Sequence, residues 1–197
     1  MKTRDRILLT ARELFNAEGA LALSALDIAT ALGVSPGHLY YHFKGKPEIL
    51  AALLEAYETE VSQVLTAAVA ECAGESATIQ MLWTHVHILT EEAWEARFVY
   101  REAGGLVLKY PALAPRIRHI AALIRTALRA MLDALEAAGA IAGSPEALDG
   151  LSRLMTTGVG FHALQLELEG DPGPPRARIA RAAAQIMLLP VALATAG

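Results

Sequence analysis

The stretch that decides the fold runs from Ser24 to Leu50 and reads SALDIATALGVSPGHLYYHFKGKPEIL. It spells two short helices joined by a tight turn, followed by the start of a longer helix. Ser24 N-caps the first helix, with Asp27 three residues on in the manner of a capping box, a place more often taken by Glu or Gln. Ile28, Ala29 and Leu32 give that helix one apolar face. Gly33 permits a left-handed turn that a side chain would resist. Ser35 caps the second helix, and Pro36 occupies its first position, where a missing N–H costs nothing. Leu39 and Phe43, four apart, point together toward a core. Gly37, Tyr40, Tyr41 and Lys44 fall on roughly the opposite side of a 3.6-residue wheel, with His38 flanking them.

A face carrying two phenols, an imidazole, a lysine and a glycine makes poor core. It suits a groove lined with hydrogen-bonding edges and phosphates. A helix, a turn of about four residues and a second helix docked by its N-terminal half is the helix-turn-helix geometry of DNA readers. The residues Ile28-Ala29, Leu32-Gly33-Val34-Ser35, Gly37, Leu39-Tyr40-Tyr41-His42-Phe43, Lys44, Lys46 and Leu50 resemble the TetR family of bacterial transcriptional repressors, over roughly the first 50 residues. A looser likeness, from Arg97 to Ile120, is to the regulatory-domain pattern of one subgroup.

The resemblance implies an all-α chain. An N-terminal three-helix bundle with the helix-turn-helix occupies residues 1–46, and a larger helical ligand-binding and dimerisation domain occupies 47–197. It implies a repressor that binds a palindromic operator in double-stranded DNA as a homodimer and is released by a small apolar or amphipathic effector. Ser35, His38, Tyr40 and Tyr41 are then expected to face the major groove, with Pro36 opening the helix and Gly37 letting the backbone come close. Ser24, His42, Lys44 and Lys46 are expected to hold phosphates; Lys46 sits just before a new helix that Pro47 opens, where free N–H groups favour an anion. The recognition helix lacks Arg, Asn and Gln, the side chains best suited to bidentate base contacts, so specificity is expected to lean on His38, on apolar contacts of the tyrosines and on DNA shape.

Composition narrows the alternatives. The 197 residues carry a net charge of −4, so the whole chain is no polycation and any DNA contact is confined to one face. Lys2, Arg4, Arg6, Arg12, Lys44 and Lys46 against Asp5, Glu13, Glu18, Asp27 and Glu48 leave the first 50 residues at +1 and the remainder at −5. Apolar residues make up 54%, mostly Ala and Leu, which favours helix. Cys72 is the only cysteine, so no intrachain disulfide is possible, which fits a reducing cytoplasm. Met1 to Arg6 leads into an amphipathic helix rather than a signal peptide, and the apolar run from Ile186 to Ala196 is too short to span a membrane and contains Pro190.

The rest of the chain also reads as helix. Residues 3–18 carry Ile7, Leu8, Ala11, Leu14 and Phe15 at helical spacing, with Thr3 as cap, Gly19 as terminator and Arg4 and Arg6 near the start. A helix from Pro47 to about Ala73 is closed by Gly74, Glu75 and Ser76. A helix from Ser76 or Thr78 has one stripe of Ile79, Leu82, Val86, Leu89 and Ala93 and a second of Trp83, His87, Thr90, Trp94 and Phe98. Gly104-Gly105 and Pro111 break the next segment, and a long helix follows from about Pro115 to Ala138. Two more helices, near 146–167 and 176–194, are rich in small residues and apolar on more than one side, which predicts a partner chain.

No catalytic triad, Walker motif or dinucleotide glycine pattern is legible, and no cofactor is expected. His85 and His87 point about 200° apart on a helix and share no ion easily; His87 with Glu91 is better spaced, but two ligands do not make a metal site. Trp83, His87, Trp94, Phe98, Tyr100, Arg101, Met131, Met155 and His162 are candidates to line an effector cavity, against the alternative that they fill the core. The rival in another class is a helical enzyme or carrier for an apolar ligand that never touches DNA.

Overall fold

The structure, a computed structural model, describes residues 2–73, 77–170 and 172–194. The helices are α1 (Thr3–Glu18), α2 (Ala25–Leu32), α3 (Pro36–His42), α4 (Lys46–Cys72), α5 (Ile79–Glu95), α6 (Arg97–Arg101), α7 (Ala103–Lys109), α8 (Ala114–Ala137), α9 (Pro145–Leu168) and α10 (Pro175–Val191), with a 3-10 turn at Pro111–Leu113. No named strand occurs among the described residues, so the all-α expectation holds; an isolated bridge pairs Ile141 with Ala194. Among the same residues no helix is long and apolar enough to cross a membrane. The expected closure of the fourth helix by residues 74–76 lies outside the described residues.

The chain forms two compact units, Met1–Glu58 with Glu95–Ile117, and Thr59–Trp94 with Arg118–Gly197. The expected boundary at 46/47 therefore falls inside the first unit. The reason is packing: Ile49, Leu50, Leu53, Leu54 and Tyr57 of α4 are buried, and Tyr57 shares a 2.7 Å hydrogen bond with the Tyr100 hydroxyl. Burial pushes the Tyr100 hydroxyl up to about 12, so it stays protonated and hydrogen-bonding at any ordinary pH.

In the first unit, Ile7, Ala11 and Phe15 of α1 close on Ala25, Ile28 and Ala29 of α2 and on Leu39 and Phe43 at α3, all buried. Residues 95–117 are stitched to α1 by polar groups. Asn16 is buried; its Nδ2 donates to the Glu95 carbonyl at 2.8 Å, and its Oδ1 accepts from Phe98 N at 3.1 Å. Arg101 donates to the Asn16 carbonyl at 2.8 Å. The Glu102 carboxylate accepts from the backbone N–H groups of Ala20 and Leu21 just past α1. Gly104 and Gly105, expected from sequence to break the segment, instead sit inside α7; a Cβ on Gly105 would run into Leu21. Thr3 is the first residue of α1 rather than its cap, and Asp5 accepts from Lys2 N at 3.3 Å.

In the second unit, α9 and α10 pack through small residues. A Cβ on Gly158 would lie 2.8 Å from Ile186 Cγ1, so the glycine is what lets that isoleucine seat. Ser144 caps α9 through Ala147 N at 3.3 Å. α10 ends at Val191 rather than 194, one residue past Pro190, and Leu193 then accepts from Ala142 N at 2.9 Å. Trp94, Ala163 and Ile179 form a buried cluster. The His162 ring stacks on Trp94 at 6.1 Å, and the Arg178 guanidinium lies 4.9 Å over the same indole. His162 Nδ1 lies 2.7 Å from the Val159 carbonyl, to which it donates as the Nδ1–H tautomer.

Asn16→Ala leaves the Glu95 carbonyl and Phe98 N–H without their partner and is expected to cost about 2 kcal/mol, read as a lower urea midpoint of the full chain. Burial first, and Arg178 second, hold His162 below its ordinary 6.5. The unfolded chain therefore binds the proton more readily. His162's stabilising share is complete above about pH 6.5 and declines as the pH falls below it. Urea midpoints between pH 5.0 and 7.5 are expected to rise less steeply with pH in His162→Phe than in the parent; equal slopes would contradict this.

Candidate nucleic-acid interface

The candidate site is α3 and the ends that frame it. Ser24 Oγ and Ser24 N both donate to Asp27 Oδ2 at 2.7 Å, and Asp27 N returns a bond to Ser24 Oγ at 3.3 Å. The Ser24 hydroxyl first, and its backbone N–H second, hold the Asp27 carboxyl below its usual value. Gly33 adopts φ 71°, and Val34 N returns to the Ala29 carbonyl at 3.0 Å, which ends α2. Ser35 then accepts from His38 N at 3.2 Å and launches α3.

These local devices fix the orientation of α3. Leu39 and Phe43 are fully buried, whereas Tyr40 is 52% and Tyr41 84% exposed. Ser35, Pro36, Gly37 and His38 are exposed beside them. His42 is half-buried, with its ring edge-on to His38 at 5.4 Å and to Tyr41 at 5.1 Å. Ser24 and Lys44 are exposed, and Lys44 N donates to Glu48 Oε2 at 2.6 Å. Arg4 lies with its guanidinium 4.9 Å over the Phe43 ring, which brings a cation from the start of α1 to the end of α3. Nine of the ten residues expected at DNA thus sit on or beside this exposed surface.

Lys46 does not. It is the first residue of α4 and only 7% exposed. Its ammonium donates to the Leu23 carbonyl and lies 5.8 Å from the Phe15 ring centroid and 5.9 Å from that of Tyr110. Burial first, and Lys109 second, push its pKa down. The expectation of a phosphate clamp is corrected: the long stem carries the charge inward, to a carbonyl and two aromatic faces, rather than out to solvent.

The nine residues expected to line an effector cavity are divided between the two units. Phe98, Tyr100 and Arg101 belong to the first unit, where Phe98 packs on Phe15 at 5.6 Å and the other two bond Tyr57 and the Asn16 carbonyl. The remaining six belong to the second. Met131 and Met155 are fully buried core, and Trp94 and His162 stack on each other. Trp83 stacks on His87 at 5.2 Å, and His87 Nε2 lies 3.5 Å from Glu91. A cavity of about 530 Å³ lies elsewhere in the second unit, between Leu65, Thr66 and Ala70 of α4 and Leu123, Ala127 and Ala130 of α8, and none of the nine lines it. Sequence reasoning missed it because it looked for aromatic and polar linings; the available signal was the rows of small residues on both helices. Among the described residues no group of His, Cys, Asp and Glu is placed to hold a metal ion.

Comparison with known proteins agrees with this geometry. A family model described as "Bacterial regulatory proteins, tetR family" matches residues 7–53, and one described as "Bacterial transcriptional repressor" matches residues 56–196. The probable HTH-type transcriptional regulator YttP of Bacillus subtilis is 31% identical over 105 residues, 52% of this chain and 51% of that protein. The HTH-type transcriptional regulator AcrR of Shigella flexneri is 29% identical over 96 residues, 49% of this chain and 44% of that one. The chain thus spans about half the length of these two relatives. A TetR-family transcriptional regulator from Marinobacter aquaeolei superimposes with a TM-score of 0.85 at 26% identity, over 99% of this chain and 92% of that one. With its helix-turn-helix head and helical body both matched, the chain belongs to the TetR family of bacterial regulatory proteins, which are helix-turn-helix DNA-binding transcriptional regulators and not enzymes.

Proposed function

We propose that this chain is a cytoplasmic repressor that binds a palindromic operator as a homodimer and lets go when a small apolar or amphipathic effector binds. The observation that carries the DNA-binding half is the outward face of α3, where Tyr40 and Tyr41 stand exposed while Leu39 and Phe43 are sealed. Ser35, His38, Tyr40 and Tyr41 read the major groove, Gly37 lets the backbone approach, and Ser24 and Lys44 hold phosphates at the rim. Arg4, held over Phe43, joins them as a cation near the end of α3.

Support for the homodimer comes from α9 and α10. Leu154, Phe161 and Leu168, each seven residues from the next, are exposed on α9, and Leu188 and Val191 are exposed on α10. Large apolar side chains left in water on two neighbouring helices suit a self-complementary, two-fold interface. A two-fold dimer presents two copies of α3 about 34–36 Å apart or a multiple of it, hence a palindromic site. An effector releases DNA only by binding the DNA-incompetent arrangement more tightly than the competent one. The buried, unpaired Cys72, whose thiol burial pushes up, suits a reducing compartment.

Selection of oligonucleotides from a random pool, followed by fluorescence anisotropy across a salt series, tests this reading. It predicts an enriched imperfect palindrome and a linear fall of log affinity with log salt. Lys44→Ala is expected to weaken binding to all sequences alike and to reduce the salt slope by about one. Lys46→Ala is expected to leave the salt slope unchanged while lowering the melting temperature, because its ammonium is spent on Leu23. Tyr41→Ala is expected to change which sequences are enriched. No enrichment from the pool, or a salt slope reduced by Lys46→Ala and untouched by Lys44→Ala, would overturn the assignment.

A further inference from the structure

The cavity between α4 and α8 lies wholly within the second unit. Its wall includes Ser62, Thr66 and Ala70 of α4 and Ala73 just past that helix, a row at helical spacing in which no side chain is larger than threonine. Ala127 and Ala130 face them from α8. Two rows of small side chains opposite each other leave a trough that larger ones would fill, and Leu65, Val69 and Leu123 give it apolar sides. Thr66, Val69, Ala70, Ala73 and Thr126 are exposed, so the trough is open to solvent along its length.

Three properties define what fits. Among the described residues no charged side chain lines the trough, and the Thr66 hydroxyl is bound to the Ser62 carbonyl of its own helix at 2.8 Å, so these residues supply dispersion and burial but no counter-ion. The volume, about 530 Å³, lies within the range of small-molecule sites. The row from Ser62 to Ala73 is roughly 16 Å long and the facing residues Leu123 to Ala130 span roughly 10 Å, lengths that an unbranched aliphatic chain of about a dozen carbons can follow. A protein partner fits poorly: stable interfaces engage about 20–30 residues a side around large anchors. Ten of the described residues line the trough, and the large exposed apolar side chains Leu154, Phe161 and Leu188 lie on α9 and α10 instead.

We propose that this trough binds an uncharged, unbranched aliphatic molecule of about a dozen carbons. Its regulatory consequence rests on the repressor reading, because α4 runs as one helix from Lys46 to Cys72 and a ligand wedged beside its second half acts on a rod that begins at the DNA-binding end. Its occupancy does not rest on that reading, and the test separates the two.

The full-length protein, free of DNA, is titrated with the neutral fluorophore N-phenyl-1-naphthylamine, which is then displaced with 1-dodecanol. Saturable displacement is expected in the parent. Ala70→Leu, which fills the trough, and Thr66→Asp, which charges it, are each expected to weaken dodecanol by about tenfold or more. Both positions are exposed, and thermal melts confirm that each variant folds. No saturable displacement in the parent, or unchanged affinity in both folded variants, would overturn the site. Anisotropy on the selected operator forms the second arm. Release by dodecanol in the parent and not in Ala70→Leu supports this trough as the effector's seat. Binding without release leaves the site standing and overturns its regulatory role.

Discussion

Everything exposed at the candidate interface depends on two side chains that are not. α3 is a seven-residue helix, far too short to persist by its own hydrogen bonds. Leu39 and Phe43 hold it, fully sealed against the residues that α1 and α2 bury. With those two pinned inward, the helical period leaves Tyr40 and Tyr41 no place except outside. The exposed chemistry is thus a consequence of packing. A register slip of one residue in α3 would exchange a phenol for a leucine at the core and cannot occur without unfolding the head.

Lys46 extends the same constraint to the ends of the motif. Its ammonium reaches the carbonyl of Leu23, the residue before the Ser24 cap, and rests near Phe15 and Tyr110. One side chain therefore ties the entry of α2 to the first turn of α4 and closes the segment that contains the turn and α3. A cation held this way meets an acceptor and two aromatic faces, which offsets part of its desolvation. A lysine next to free N–H groups at a helix start looks, in sequence, like an anion site. The direction of its stem is set by Tyr110 and Phe15, residues far away along the chain.

The contrast marks what was legible. Caps and turns are local, so Ser24 with Asp27, Gly33, Ser35 and Pro36 announced α2 and α3 to within a residue. The outward face of α3 followed from periodicity alone. Long-range polar stitching did not. Nothing near Asn16 says that its side chain will take the Glu95 carbonyl and Phe98 N–H, and nothing near Glu102 says that it will take the N–H groups past α1. Those contacts join residues about 80 apart, and they draw 95–117 into the first unit against the expected boundary at residue 46. Gly105 misled for the same reason: glycine reads as a helix breaker until the close approach of Leu21 is known.

Small residues at helical spacing gave one signal with two physical outcomes. On α9, Gly158 admits Ile186 so closely that a methyl group would collide, and the space is used. On α4 and α8, Ser62, Thr66, Ala70, Ala127 and Ala130 open a similar space, which Leu65, Val69 and Leu123 flank without filling. Sequence cannot separate a filled gap from an open one, since both are written as small residues three or four apart. What decides is the residue opposite. An isoleucine turns the gap into a helix–helix seam, and a second row of alanines leaves a trough. Apolar atoms that line an unfilled trough forgo dispersion contacts on its open side and stay exposed to water. A trough open to solvent along about three turns of α4 and two of α8, with no charge among its described lining residues, therefore favours an apolar chain long enough to restore those contacts.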